Sequence, residues 1–353
     1  MKTNKLLLSI ILLISLMLSS CVDIEVSTIL NTDGSLERLI EVRSDSELKD
    51  YSDLPFPVDS TWKVDYKLDT LNSDKHHVYS FKKEFNNADE LNEEYQKVPN
   101  GLSKFERAIH VEKKFRWFYT YLSYNETYKK MAKGNHKPFE MYLSDIEKKF
   151  RKIKDADTLA QVLHLDSIAA NDFKKGIDEK YNKWLMDNLF DEGILVVEKD
   201  MKKCHVENIK IEDLKAKRDT IFKLIDSLDT KDGFNKFYQS LNKLFNTKEF
   251  DKIINAKNTG LVDFEKEINY VTNLPGFKYK LQMPGLLIDA NAESIKGNKL
   301  DWEFVPFDSY FVGTSQFAES RIINVWAFVV SGVFLVLVVG LILIPGFRRR
   351  KSV

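Results

Sequence analysis

Residues 22–42 read VDIEVSTIL NTDGS LERLIEV, and this stretch decides the class of the fold. Val22, Ile24, Val26, Thr28 and Leu30 alternate with Asp23, Glu25, Ser27 and Asn31, the period-two pattern of a half-buried strand. Asp33-Gly34 is a tight-turn pair, and Leu36, Ile40 and Val42 then recur on one face of a returning strand. Arg38 is the exception on that face. The chain therefore opens on a β-hairpin, with an arginine where the hairpin should present only apolar groups.

Working outward, residues 1–20 carry the parts of a secretory signal: Lys2 and Lys5, then the uncharged run Leu6 to Leu18. That run is too short to cross hydrocarbon, which needs roughly 20 residues at about 1.5 Å each. Leu18-Ser19-Ser20-Cys21 resembles the bacterial lipobox, so Cys21 is expected to receive a diacylglycerol and become the first residue of the mature chain. Acyl chains such as palmitate contribute about 0.8 kcal/mol per buried methylene, which makes membrane lipid the first expected partner. With no tether between Cys21 and the hairpin, the folded body is expected to sit directly on the bilayer.

At the other end, Ile322 to Phe347 holds no charged residue, and Val325 to Ile344 is long enough to span about 30 Å of hydrocarbon. Trp326 sits at an interfacial position, and Pro345-Gly346 is expected to end the span. Arg348, Arg349, Arg350 and Lys351 follow at once, and positive residues stay cytoplasmic. The tail is then inside and the body outside. Both ends are expected at the outer face of the cytoplasmic (inner) membrane, the first strand starting where the last one ends.

The 353 residues carry 53 basic and 53 acidic side chains, which gives no electrostatic reason to expect nucleic acid. Of two cysteines, Cys21 is taken by lipid, so Cys204 has no internal disulfide partner.

Strands are expected at Trp62 to Leu68, Val78 to Phe85 and across Lys104 to Tyr124, with a helix near Ala88 to Lys97. Phe115, Trp117, Tyr119 and Tyr121 share one face; they suit either a packed sheet or a membrane surface, and sheet core is the commoner case. From Pro138 the period changes. Ser144 with Glu147 makes a capping box, and apolar residues such as Phe173, Ile177, Tyr181 and Trp184 then recur at helical spacing. Strand signals resume at Val262 to Tyr270 and Phe277 to Met283, with Pro-Gly turns at Pro275-Gly276 and Pro284-Gly285. Leu300, Trp302 and Phe304 follow on one strand face. The predicted class is α+β: a β-rich membrane-proximal domain (21–137 and 258–321) split by a helical insertion (138–257). A transmembrane helix (322–347) and a basic cytoplasmic tail (348–353) complete the chain.

Met283-Pro284-Gly285, Asn291-Ala292, Gly297-Asn298 and Trp302, ahead of a terminal apolar helix and combined with a lipobox, resemble the pattern of LppM-type bacterial lipoproteins and related membrane-anchored lipoproteins. The resemblance covers the opening hairpin and the last 80 or so residues before the tail. It implies an α+β envelope protein without an established activity, and it carries over no catalytic residue.

The chain holds no Walker loop, HExxH, GxSxG or paired CxxC units. His76-His77 are strand neighbours pointing to opposite faces. Cys204-His205, beside Lys202 and Lys203, is the sharpest reactive candidate. No metal site, cofactor or catalytic residue is assigned. The leading functional reading is a binding or interaction module at the membrane that holds a lipid, an envelope polymer or a partner protein, the ligand itself being unassigned. The alternatives are an envelope hydrolase or transferase using carboxylates in a cleft between sheet and insertion, and a structural subunit of a membrane complex. In the last, Gly332 and Gly340 would assist helix packing.

Overall fold

The computed structural model describes residues 22–48, 50–51, 54–70, 75–97, 105–151, 153, 155–226, 233–256 and 259–349. The signal segment, the lipobox with Cys21, and Arg350 and Lys351 of the tail lie outside these residues. The architecture is α+β, and the described residues form two compact units.

The first unit comprises the described parts of Cys21–Tyr128, Gly276–Phe304 and Ser315–Val353. Strands β1 (Val22–Leu30) and β2 (Leu36–Ser44) pair antiparallel in register from Val22↔Ser44 to Leu30↔Leu36. Gly34 takes φ +102° in their turn, a conformation that glycine adopts without strain. Further strands are β3 (Lys63–Asp69), β4 (His76–Phe85), β5 (Arg107–Phe115), β6 (Tyr119–Tyr128), β7 (Phe277–Gln282), β8 (Leu286–Ala290), β9 (Ser294–Lys296), β10 (Lys299–Phe304) and β11 (Thr314–Ile323). They make a seven-stranded sheet ordered β3-β4-β2-β1-β7-β10-β9 and a four-stranded sheet ordered β5-β6-β11-β8.

One face of each sheet is buried: Ile24, Val26, Ile40 and Val42 on the larger, Leu122, Tyr124 and Tyr128 on the smaller. The helix α1 (Ala88–Gln96) packs its Leu91 and Tyr95 side against β5. Its Asn92 bonds the Ile109 backbone as acceptor and donor, both at 2.8 Å. That covers part of an edge strand whose unpaired backbone would otherwise invite association.

The pairing of β1 alters one expectation. Its second neighbour is β7, and the two run parallel, Glu25↔Lys278 to Ile29↔Gln282. Parallel strands share their starting ends, so the Glu25 end of β1 lies with Lys278, and the Ile29 end lies with Gln282. After the turn that follows β7, Leu286 of β8 pairs Arg321, near the end of β11 and just before the C-terminal helix. The β1–β2 turn confirms this side, because Lys113 Nζ of β5 donates to Thr32 O at 3.0 Å. β1 therefore starts at the opposite end of the sandwich from the one where the last strand finishes, about 26 Å away over nine residues. The expectation that first and last strands meet at one end is corrected; the alternation that revealed the strand says nothing about which neighbour sets its direction.

The second unit, Lys129–Pro275 with Val305–Thr314, is helical. It contains α2 (Asp145–Phe150), α3 (Ala156–Leu163), α4 (Ser167–Lys203), α5 (Ile211–Ala216), α6 (Arg218–Asp226), α7 (Gly233–Phe245), α8 (Asp251–Asn255), α9 (Gly260–Thr272) and α10 (Pro306–Val312). Ser144 and Glu147 form the capping box of α2. The 37-residue α4 is the spine; its Phe190, Ile194, Val197 and Met201 pack with residues of the later helices around Tyr238 and Phe250.

Val262 to Tyr270, expected as a strand, lies within α9. Leu261, Phe264, Ile268 and Val271 recur at steps of three and four, and this period outweighs the shorter alternation laid over it. The helix start is held from a distance, by both Asp200 carboxylate oxygens accepting from Gly260 N at 2.9 Å.

The last helix, α11 (Val325–Arg349), belongs with the sandwich. Its Val325–Leu343 stretch has mean hydropathy 2.8 and is 6% buried, and it alone among the described helices is long and apolar enough to cross a membrane. The helix does not stop at Pro345 but continues to Arg349. A proline forfeits one backbone bond, and a long helix tolerates the loss.

Candidate membrane-contact site

The β5–β6 hairpin turns through Arg116–Tyr119, closed by Arg116 N→Tyr119 O at 2.8 Å and Tyr119 N→Arg116 O at 3.2 Å. Asn324, between β11 and α11, is joined to this tip through both its backbone and its side chain. Its N donates to Phe118 O at 2.9 Å, and its Nδ2 donates to Arg116 O at 2.8 Å and Trp117 O at 3.2 Å. Its Oδ1 accepts from Thr120 Oγ1 at 2.9 Å, and its carbonyl accepts from Ala327 N at 2.9 Å. One asparagine thus ties the turn backbone to the first turn of the apolar helix.

Aromatic rings extend the junction. Phe115 stacks on Trp326 at 6.2 Å between centroids, Trp117 meets Trp326 edge-on at 5.3 Å, and Phe118 lies 4.7 Å from Phe328. Trp117 Nε1 donates to Ser331 Oγ at 2.8 Å. Ser331 is six residues past Val325, about 9 Å along the helix. The rings remain open outward: Phe115 is 57% exposed, Trp117 47% and Phe118 39%. The Arg321 guanidinium lies 4.9 Å from the Tyr119 ring centre, and Lys113, Lys114 and Arg116 occupy the same hairpin end.

The core assignment for Phe115, Trp117, Tyr119 and Tyr121 is therefore corrected. On β6 the buried side is Thr120, Leu122, Tyr124, Glu126 and Tyr128, and the odd-numbered aromatics stand on the other face. Alternation identifies the two faces of a strand but not which is covered.

The core of the sandwich holds a charged network. Glu126 accepts from Arg38 Nη2 at 3.1 Å, Tyr124 OH at 2.5 Å, Tyr128 OH at 2.8 Å and Arg107 Nη2, all four partners buried. Tyr124 OH also meets Tyr279 OH at 2.6 Å, which in turn bonds Thr28 at 2.9 Å. Burial alone would raise the Glu126 carboxyl, but Arg107 and Arg38 beside it hold it well below the usual carboxylate range. The Arg107 guanidinium lies 3.5 Å from the Tyr95 ring centre, an aromatic face for its remaining charge. The exception at Arg38 is thus the sheet-to-sheet tie of the core.

The other sequence candidates are separate from both clusters. His76 Nδ1 lies 2.9 Å from Asp45 Oδ1 and His77 Nδ1 lies 3.0 Å from Tyr66 OH, each with its own partner. Cys204 caps α4 as a half-buried free thiol, and His205 follows in the left-handed region. Among the described residues no group of three or more His, Cys, Asp and Glu side chains could hold a metal. In the helical unit, His136 joins Asn188 at 2.9 Å and Glu192 at 2.7 Å; Glu192 also accepts from Lys133 N at 3.1 Å and from Gly134 N, so the buried carboxylate organises a loop. An open depression of about 510 Å3 is lined by Tyr51, Val58, Trp62 and Val64 among others, beside the exposed Tyr66 and Leu68 of β3. Val325 opens α11, Ile344 lies within it, and Arg348 and Arg349 close it. Sequence reasoning missed Asn324 and Phe118 and saw Ser331 only as the polar exception in the apolar helix; an Asn directly before an apolar run was the available signal, as a helix N-cap.

No protein-family model matches this chain, and no curated protein matches it. The folded domain of the Mycobacterium tuberculosis LppM protein, solved by NMR, is similar in structure over 86% of this chain and 91% of that one, with 8% identity and a TM-score of 0.27. Superposition at that score is too loose to equate positions or to transfer an activity.

Proposed function

We propose that this chain is a membrane-anchored envelope lipoprotein that acts as a binding or interaction module at the outer face of the cytoplasmic membrane. Cys21 carries the lipid, α11 crosses the bilayer once, and the basic residues Arg348 to Lys351 remain inside. The ligand class is a membrane lipid or an envelope protein. The single observation that carries this reading is an apolar, almost wholly uncovered helix joined to a folded sandwich without a linker. A core helix of that hydropathy would be buried.

Because β1 begins at the far end of the sandwich from α11, a lipid on Cys21 would hold a second point of the body to the same bilayer.

Protease treatment of spheroplasts tests the topology: the body should be degraded and the basic tail protected, and the reverse result would overturn it. Metabolic acyl labelling should vanish in Cys21→Ser. Purification in mild detergent should bring along a defined lipid or protein; an empty monomer would refute the binding role.

A further inference from the structure

We propose that the tip of the β5–β6 hairpin, Phe115 to Phe118, is a second membrane-inserted element, seated in the outer leaflet beside α11. The inference rests on the reading of α11 as a spanning helix and adds a surface that reading does not contain. Its partner is the lipid bilayer itself.

Trp117 Nε1 is bonded to Ser331, about 9 Å into the helix, so the medium that surrounds the helix at that depth also surrounds the indole. Asn324 holds the tip backbone at the helix start through three carbonyl groups, which removes the freedom of the hairpin to swing away. Ala327, in the first turn of the helix, is fully buried and donates its N–H to Asn324 O.

The chemistry of the tip fits this depth. Trp and Tyr favour the headgroup boundary, where an apolar ring and a polar edge are both satisfied. The tip supplies Phe115, Trp117, Phe118 and Tyr119, and the helix adds Trp326 and Phe328. Lys113, Lys114, Arg116 and Arg321 stand at the same end, and long basic side chains extend their heads toward anionic headgroups while their stems remain apolar. Exposed apolar rings bordered by cations mark a surface that meets lipid.

The test places a dansyl-bearing amino acid at Phe118 of the full chain, reconstituted into vesicles of phosphatidylcholine and phosphatidylglycerol that contain doxyl-labelled lipids. The same probe at Phe328 reports the start of the helix, at Leu337 its spanning middle, and at Lys63 an exposed strand. Quenching by a shallow doxyl lipid at Phe118 should match that at Phe328 and exceed that at Lys63 several-fold. If Phe118 behaves like Lys63 while Leu337 is quenched by a deep doxyl lipid, the hairpin is outside the bilayer and this inference fails alone. If Leu337 is also unquenched, α11 does not span and the proposed function fails with it.

Discussion

Glu126→Gln removes one charge and leaves the shape of the side chain almost intact. The cost follows from the count of donors. Glu126 accepts from two guanidinium groups and two phenols, whereas a glutamine offers one oxygen and an amide that must donate toward groups that are themselves donors. Arg38 and Arg107 then remain buried with no counter-charge. Breaking a buried pair in this way costs about 3–5 kcal/mol, a large part of a total stability of about 5–15 kcal/mol. Hydrogen exchange of the β2 and β6 amides, measured on the full chain in detergent, reports this unit directly and should show opening free energies lowered by about that amount.

A quadruple variant, Arg38→Met with Arg107→Leu, Glu126→Leu and Tyr128→Phe, removes both signs of charge and the phenol that would lose its acceptor, and should recover most of the loss, because apolar replacement of a whole buried ionic cluster is often neutral or stabilising. A cost below about 1 kcal/mol for Glu126→Gln, or an equal cost for the quadruple variant, would refute this account of the core. The pH dependence has a definite sign. A carboxyl held below its unfolded value of about 4.3 gives stability that is complete above that pH and is lost as pH falls toward the folded value. The gap between wild type and Glu126→Gln should therefore narrow progressively as pH falls below about 4.3.

Gly285→Ala should destabilise the turn after β7 by about 1–3 kcal/mol, since φ is +73° and a Cβ would meet Arg321 O at 2.5 Å; amide exchange in β8 and β11 measures it. In the helical unit, burial would raise the Glu192 carboxyl, but His136 and the Gly134 and Lys133 amides hold it below its ordinary value. Acid titration of this unit should show protection lost as pH falls below about 4.3, and Glu192→Gln should flatten that dependence. Asp200→Asn keeps one acceptor for Tyr238 OH and Gly260 N where two oxygens now serve them. Exchange at the start of α9 should rise by the equivalent of about 1 kcal/mol, and no change would show that the cap is unimportant.

Much of this fold is legible along the chain because its elements carry clean periods. β1, β2 and β4, the capping box at Ser144 and the face of Leu300, Trp302 and Phe304 could all be read locally, since burial on one side imposes alternation. Arg38 was visible as an anomaly. Its meaning was not, because Glu126 lies 88 residues away on another sheet. α9 was misread for a different reason: a short alternation lies over the three- and four-residue steps of Leu261, Phe264, Ile268 and Val271, and both patterns are local. At the candidate site the aromatics were legible and their exposure was not. Which face is covered is decided by the other sheet, and the contact of the tip with Asn324 spans more than 200 residues of chain.

The parallel pairing of β1 and β7 also dictates an order of assembly. Thr28 and Tyr279 meet across 251 residues, with the Lys129–Pro275 part of the helical unit translated between them. As the chain emerges, β1 and β2 can close their hairpin at once, but the other edge of β1 has no neighbour until residue 277 appears. Such non-local pairings are slow to form and leave strand edges exposed in the interval. The intervening helices, rich in local contacts, can form meanwhile. Residues 277–323 then complete both sheets just before α11 follows. The sandwich can close only when the chain is nearly finished, so its exposed edge depends on chaperones or on rapid closure for protection.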